Sequence, residues 1–138
     1  MASQRVVVLA LAACICWGVI GTVTATYYYQ QTMTIRASLS IVSVSIDFGN
    51  GTTRVYSEVY LFKDATALDA TRAVSKVTTT YYAGMGSIVT AINGIPNNWN
   101  SSGKYWQFWV NGVYGTTAAD MVVLRNGDKL EWKLTYFA

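Results

Sequence analysis

Histidine is missing from this 138-residue chain, and charge of either sign is scarce. Without an imidazole the chain lacks the side chain most used as a general base near neutral pH and as a ligand for zinc or copper. Charged residues make up 12 % of the chain, against about 25 % in an ordinary soluble domain. The lysines and arginines stand singly, with no run or stripe of the kind that follows a phosphate backbone, which excludes a nucleic-acid partner. The two cysteines, Cys14 and Cys16, are too close for an ordinary disulfide and lie in one apolar segment, so the remainder must hold together by packing alone.

These absences remove most chemistry. A serine nucleophile needs a base, and only a lysine such as Lys63, Lys76 or Lys104 is there to serve. The seven acidic residues show no paired spacing. Asn126, Asp128 and Glu131 offer oxygens but match no calcium loop. Gly84-Met85-Gly86 is not set between a strand and a helix, as a phosphate-binding loop requires. The expectation is a protein that is not an enzyme, with no catalytic residue, no metal site and no cofactor.

What is present begins with a hydrophobic segment. Val6 to Val23 contains no charged residue, and Arg5 stands just before it. About 20 apolar residues suffice to cross a bilayer, so the segment reads as a signal anchor with the following domain outside the cytoplasm. Val23-Thr24-Ala25 also offers the small residues of a cleavable signal peptide, and Leu11-Ala12-Ala13-Cys14 matches a lipoprotein pattern, although the apolar run continues past Cys14. In each case the expected location is membrane-anchored and extracytoplasmic, or secreted to the cell surface once the N-terminus is cleaved. The expected division is residues 1–26 as anchor or signal, 27–41 as an extended linker and 42–138 as one β-rich domain.

Residues 32–41 alternate strictly, with Met33, Ile35, Ala37, Leu39 and Ile41 on one side and polar residues on the other. This is the period-2 mark of a half-buried strand. From Val42 the apolar phase flips to Val42, Val44, Ile46 and Phe48, which calls for a β-bulge or for a separately placed strand. Met33, Ile35, Ala37, Leu39 and Ile41 are therefore candidates for a strand donated to a neighbouring subunit.

Four Asn-Gly pairs, at Asn50, Asn93, Asn111 and Asn126, mark tight turns. Strands are expected at 42–48, 53–62, 77–82, 87–92, 104–110, 121–124 and 129–136. One soluble helix begins at Thr66-Ala67-Leu68-Asp69, a capping box with Thr66 as N-cap. One helix among several mostly antiparallel strands gives an α+β fold, sandwich-like or grasp-like. Asn50-Gly51-Thr52 and Asn100-Ser101-Ser102 are acceptor triplets for N-glycosylation at Asn50 and Asn100, both in expected loops.

The order of strand, strand, Ala-Thr-Ala-Leu-Asp-Ala helix, Ile92-Asn-Gly-Ile95, Tyr105-Trp-Gln-Phe-Trp-Val-Asn-Gly112 and Asn126-Gly-Asp-Lys-Leu-Glu-Trp132 resembles the small exported β-rich domain family typified by the C-terminal domain of transcobalamin. The resemblance covers about Val42 to Tyr136. It implies one helix packed on a sheet, with an apolar and aromatic edge that in transcobalamin caps a corrinoid. Tyr105, Trp106, Gln107 and Gly115 to Met121 correspond to that edge. These 138 residues do not include the large helical half of that corrinoid site, and no imidazole is available to ligate cobalt.

Alternation sets Tyr105, Gln107 and Trp109 on one face of their strand and Trp106, Phe108 and Val110 on the other. The second face is core. Tyr105, Gln107 and Trp109, with the loop residue Trp99, are candidates for an exposed partner or ligand surface, since each aromatic amphiphile joins an apolar body to a polar tip. The functional expectation is a membrane-anchored interaction module, an accessory or assembly subunit that works through protein partners. The alternatives are a filament or surface-layer subunit assembling by strand donation, and a module binding a small, corrinoid-like ligand.

Overall fold

A computed structural model describes residues 2–137, without the side chains of Ala2, Ser3, Arg5, Arg36, Ala37 and Trp99. The chain divides into two compact units, residues 1–38 and 39–138. The first is a single helix, α1, Ala2–Ala37. Among the described residues this is the one helix long and apolar enough to cross a membrane, over Val6–Ile35.

The helix corrects the expected linker. Met33, Ile35 and Ala37 lie in α1 rather than in a strand, and residues 27–37 continue the apolar helix. Extending a formed helix fixes one residue per hydrogen bond and needs no new nucleus. The threonines that supplied the polar half of the alternation turn their hydroxyls back onto the preceding turn: Thr32 Oγ1 donates to the Tyr28 carbonyl at 2.8 Å and Thr34 Oγ1 to that of Gln30 at 2.9 Å. Leu39 and Ile41 do extend, but they pair with the chain's own next strand. Among the described residues, 32–41 therefore supply no unpaired strand to donate.

In the second unit β1 spans Leu39–Asp47 and β2 Thr53–Phe62. Helix α2, Ala67–Val74, is followed by β3, Val77–Tyr82, β4, Gly86–Ile92, and the short β5, Ile95–Pro96. After a 3₁₀ turn at Trp99–Ser101 come β6, Tyr105–Val110, β7, Val113–Tyr114, a second 3₁₀ turn at Ala119–Met121, and β8, Lys129–Thr135. The five-stranded sheet runs β2-β1-β8-β6-β7 and the three-stranded sheet β3-β4-β5. All pairings are antiparallel except β1 with β8, where Ser43 lies opposite Lys129 and Asp47 opposite Lys133. The fold is α+β.

The expected phase flip in the first strand is resolved differently. Ser40, Val42, Val44 and Ile46 all point inward without a break, while Leu39 and Ile41 stand on the outer face. The irregularity falls on β2: Val42 pairs with Val59 but Val44 with Tyr56, so Ser57 and Glu58 together oppose Ser43. This bulge shifts the phase of β2 and brings Val59 and Leu61 inward. The strand expected at 121–124 is absent; the segment is the second 3₁₀ turn followed by a single bridge between Val123 and Thr66. Its apolar residues are anchored individually, with Leu124 buried and Val123 exposed.

The core lies between the five-stranded sheet and a second layer made of α2 and β4. Val42, Val44, Ile46, Leu130, Trp132, Leu134, Trp106 and Phe108 meet Leu68 of α2 and Val89 and Ile92 of β4 in one cluster. A buried polar link ties the layers: Trp132 Nε1 donates to Thr71 Oγ1 at 2.7 Å, and Thr71 Oγ1 donates in turn to the Ala67 carbonyl. Of the four Asn-Gly pairs, Asn93-Gly94 and Asn111-Gly112 carry positive φ at both residues, as a two-residue turn between twisted strands demands.

Helix α2 starts as its sequence dictates. Thr66 Oγ1 accepts from the Asp69 N–H at 3.2 Å, and Asp69 Oδ2 accepts from the Thr66 N–H at 2.9 Å. The Thr66 backbone N–H and hydroxyl hold the Asp69 carboxyl below its ordinary range, helped by Arg72. A carboxyl that binds its proton more weakly folded than unfolded contributes stability above its unfolded pKa, and that contribution disappears as pH falls through the folded value. Asp69→Asn is therefore expected to flatten the acid limb of the stability–pH curve, measured by urea unfolding between neutral pH and pH values well below the ordinary carboxylate range. Thr66→Ala is expected to cost about 1 kcal/mol at neutral pH.

Candidate functional site

The site begins with what the edge of β6 leaves open. Only Trp109 and Val110 of β6 pair with β7, and beyond Tyr114 the chain turns away, held by the Gly115 N–H on the Phe108 carbonyl at 2.9 Å. Gly115 has no alternative here, because a Cβ built on it would overlap the Phe108 ring. From Gly115 the chain crosses to β4, where Asp120 Oδ2 accepts from the Ser87 N–H at 2.9 Å. This clasp needs Gly86, whose φ is +87° and whose Cβ would come within 2.6 Å of Asp120 Oδ1. Asp120 Oδ1 is buried with no hydrogen-bond partner.

Between the β6 edge, the 115–119 segment and the β3–β4 turn lies a cleft of about 440 Å³. Phe108, Trp106 and Trp132 line its apolar side, Met85 and Met121 stand exposed at its rim, and Gln107 supplies a polar group. Among the described residues, none of those that line it is charged. Such a volume falls within the usual range for small-ligand sites, which are mostly apolar with a few polar groups. An uncharged lining favours an uncharged, largely apolar guest, since a charge moved there would lose its hydration without a partner.

The residues singled out in the sequence are placed unequally. Trp106, Gln107, Gly115 to Ala119 and Met121 line the cleft, as the resemblance implies, while Tyr105 does not. Gln107 is only 7 % exposed, and its Nε2 donates to the carbonyls of Thr135 and Tyr136 at 3.2 and 3.1 Å. Tyr105 is half-buried against Phe137, with ring centroids 5.0 Å apart. Trp109 is half-buried under Tyr114, 5.5 Å away, and carries Lys133 Nζ 4.9 Å above its ring. Tyr105 and Trp109 thus make two separate stacks rather than one open aromatic platform. The side chain of Trp99 lies outside the described residues.

The oxygens of Asn126, Asp128 and Glu131 have structural employment. Asn126 Oδ1 accepts from the Ile41 N–H, Asp128 takes the Arg125 N–H and the Asn111 amide, and Glu131 pairs with Lys133 at 3.3 Å. Lys104 Nζ donates to the Gly49 carbonyl at 2.8 Å. Asn50 and Asn100 are exposed, Asn50 in the β1–β2 turn with its Oδ1 accepting from the Thr52 N–H.

Sequence reasoning missed the third wall of the cleft, Gly84 to Val89. Gly84-Met85-Gly86 is no phosphate loop but the β3–β4 turn. Its available signal was a large apolar side chain set between two glycines, where a turn normally carries polar residues.

The second unit is a small α+β domain with a cleft beside one edge of its five-stranded sheet. The chain belongs to the family described as domain of unknown function DUF4430, whose profile matches residues 64–136, just over half of it. Among solved structures it is similar to haptocorrin in complex with Cbi, with 21 % identity and a TM-score of 0.59 over 72 % of this chain and 26 % of that one. It is also similar to a protein from Ruminococcus gnavus ATCC 29149 described as a proposed metal binding protein, with 19 % identity and a TM-score of 0.54 over 72 % of this chain and 99 % of that one. At these identities the likeness is one of fold. The chain spans about a quarter of the haptocorrin chain. No curated protein matches the sequence.

Proposed function

We propose that this chain is a membrane-anchored module, not an enzyme, that holds a small uncharged apolar ligand in the cleft beside β6. The observation that carries this reading is the cleft itself: about 440 Å³, lined by three core aromatics and two exposed methionines, with no charged side chain. Exposed methionines and a cleft without charge have no evident use in holding the fold together. The haptocorrin structure contains Cbi, so a corrinoid is tried beside the apolar guest, as a larger and more polar ligand that would rest across the mouth of the cleft rather than enter it. Helix α1 acts as the anchor, with the second unit outside the cytoplasm and Asn50 and Asn100 open to glycosylation there. A role through protein partners, as an accessory subunit, is compatible with the same anchor; a filament built by strand donation has lost its donor strand to α1 and β1.

The test is a fluorescence titration of the full chain in detergent with a corrinoid and, separately, with the neutral apolar dye Nile red. Saturable tryptophan quenching by the corrinoid, or saturable dye emission, is the expected result. Met85→Ala combined with Met121→Ala is expected to weaken either at least tenfold without changing the unfolding midpoint, since both side chains are exposed. Flat titrations with both probes would refute ligand binding in this cleft.

A further inference from the structure

We infer that the end of the five-stranded sheet where β1 begins and β2 ends rests on the bilayer surface, with Phe62, Tyr60, Leu39 and Ile41 set into the headgroup layer. This rests on the reading of α1 as a membrane span. Leu39 lies opposite Phe62, and Ile41 opposite Tyr60, across the antiparallel β1–β2 pair. The two cross-strand pairs are neighbours on the outer face, whereas Val42, Val59 and Leu61 face the core. Phe62 is 78 % exposed, Tyr60 60 % and Ile41 39 %. Single exposed apolar residues are ordinary, but a contiguous group of this kind marks a surface that something covers.

Chain connectivity says what covers it. Helix α1 ends at Ala37 and β1 begins at Leu39, so covalent geometry keeps Leu39 within about 7 Å of the helix end, whatever the orientation of the two units. The uncharged span Val6–Ile35 has 30 residues. At a rise of about 1.5 Å per residue this is about 45 Å, the thickness of a bilayer with both headgroup layers, about 40–45 Å. A chain that has just crossed that distance delivers Leu39, and the pairs registered to it, to the aqueous edge of the headgroups. Phenylalanine and tyrosine suit that layer, tyrosine because its ring and its hydroxyl prefer opposite sides of it.

The charges near the patch come close to balance: Lys63, Arg125 and Lys129 stand with Glu58, Asp64 and Asp128, and Arg36, just before the patch in the chain, adds one further positive charge. Docking therefore depends on aromatic and apolar insertion and not on anionic lipid. A second copy covering the same face would instead respond to the protein-to-lipid ratio.

The experiment uses the full chain in phosphatidylcholine vesicles containing doxyl-labelled phosphatidylcholine. The fluorophore NBD is placed by Lys63→Cys beside the patch, or by Thr53→Cys at the far end of β2, in a chain carrying Cys14→Ala and Cys16→Ala. NBD at position 63 is expected to be quenched several-fold more than at 53. Adding Tyr60→Ser and Phe62→Ser, both at exposed positions, is expected to bring the two probes level. A third sample, labelled on native Cys16 with Cys14→Ala, reports the span. Quenching at Cys16 with no excess at 63 over 53 overturns the docking and leaves the span standing, while no quenching at Cys16 overturns both. Excess quenching at 63 that needs anionic lipid, disappears in high salt or grows with the protein-to-lipid ratio also overturns the inference.

Discussion

Trp132→Ala lowers the unfolding free energy of the second unit by about 3–5 kcal/mol, the range for truncating a buried aromatic. The whole stability of a domain this size is about 5–15 kcal/mol, so the variant sits near the edge of folding. Trp132 is 2 % exposed and does two jobs. Its ring packs on Phe108, with centroids 5.1 Å apart, and its Nε1 donates to Thr71 Oγ1 across the core. A second substitution separates the two contributions. Thr71→Val keeps nearly the same shape but leaves the indole N–H buried and unpaired, at a cost of about 1–3 kcal/mol. With Trp132→Phe the donor is gone as well, so the double variant loses less than the sum of the singles. Urea unfolding followed by far-ultraviolet circular dichroism measures all four variants, and strict additivity of Thr71→Val and Trp132→Phe would show that the link between layers contributes nothing.

The second large effect is at Gly115. A Cβ there overlaps the Phe108 ring, which is itself buried and could give way only by moving into the cleft it lines. Forcing even one extra carbon into such a place typically costs about 1–3 kcal/mol. Because Gly115 and Phe108 both line the cleft, Gly115→Ala also displaces the cleft wall, and Nile red emission is expected to fall together with stability. Met85→Ala with Met121→Ala, by contrast, lowers dye binding alone. A Gly115→Ala chain with unchanged unfolding midpoint and unchanged dye affinity would show that the close approach is not fixed.

These residues also show how far the sequence could be read. Thr66 and Asp69 announce their helix because a capping box is a contact between residues three apart, wholly contained in the local sequence. Alternation likewise sorted Trp106 and Phe108 from Trp109. It could not foresee that Gln107, on the outer face, would be buried under the carbonyls of Thr135, which ends β8, and of Tyr136 just after it. Residues 32–37 misled for a different reason: Met33, Ile35 and Ala37 open a run of five apolar residues at every second position that fits a strand template, but a helix already running through the preceding apolar residues extends at little cost. The bulge could be anticipated but not located, since the apolar pattern of β1 changes where β2 carries the extra residue. The cleft was half legible. Its 115–121 wall came with the resemblance, whereas the Met85 wall depends on β4 lying beside β6, a long-range arrangement no local pattern encodes.

The parallel pairing of β1 with β8 has a consequence for the order in which the molecule can form. β1 is the first strand of its unit to leave the ribosome and β8 the last, and Ser43 must wait for Lys129. Until then the β1–β2 hairpin keeps one long edge unpaired, and Val42, Val44 and Ile46 lack Leu130 and Trp132. Because β8 also joins β1 to β6, the two halves of the sheet cannot be stitched together before β8 has been made. A chain released short of Leu130 would therefore carry its apolar N-terminal helix and most of its strands, yet remain an open, adhesive hairpin.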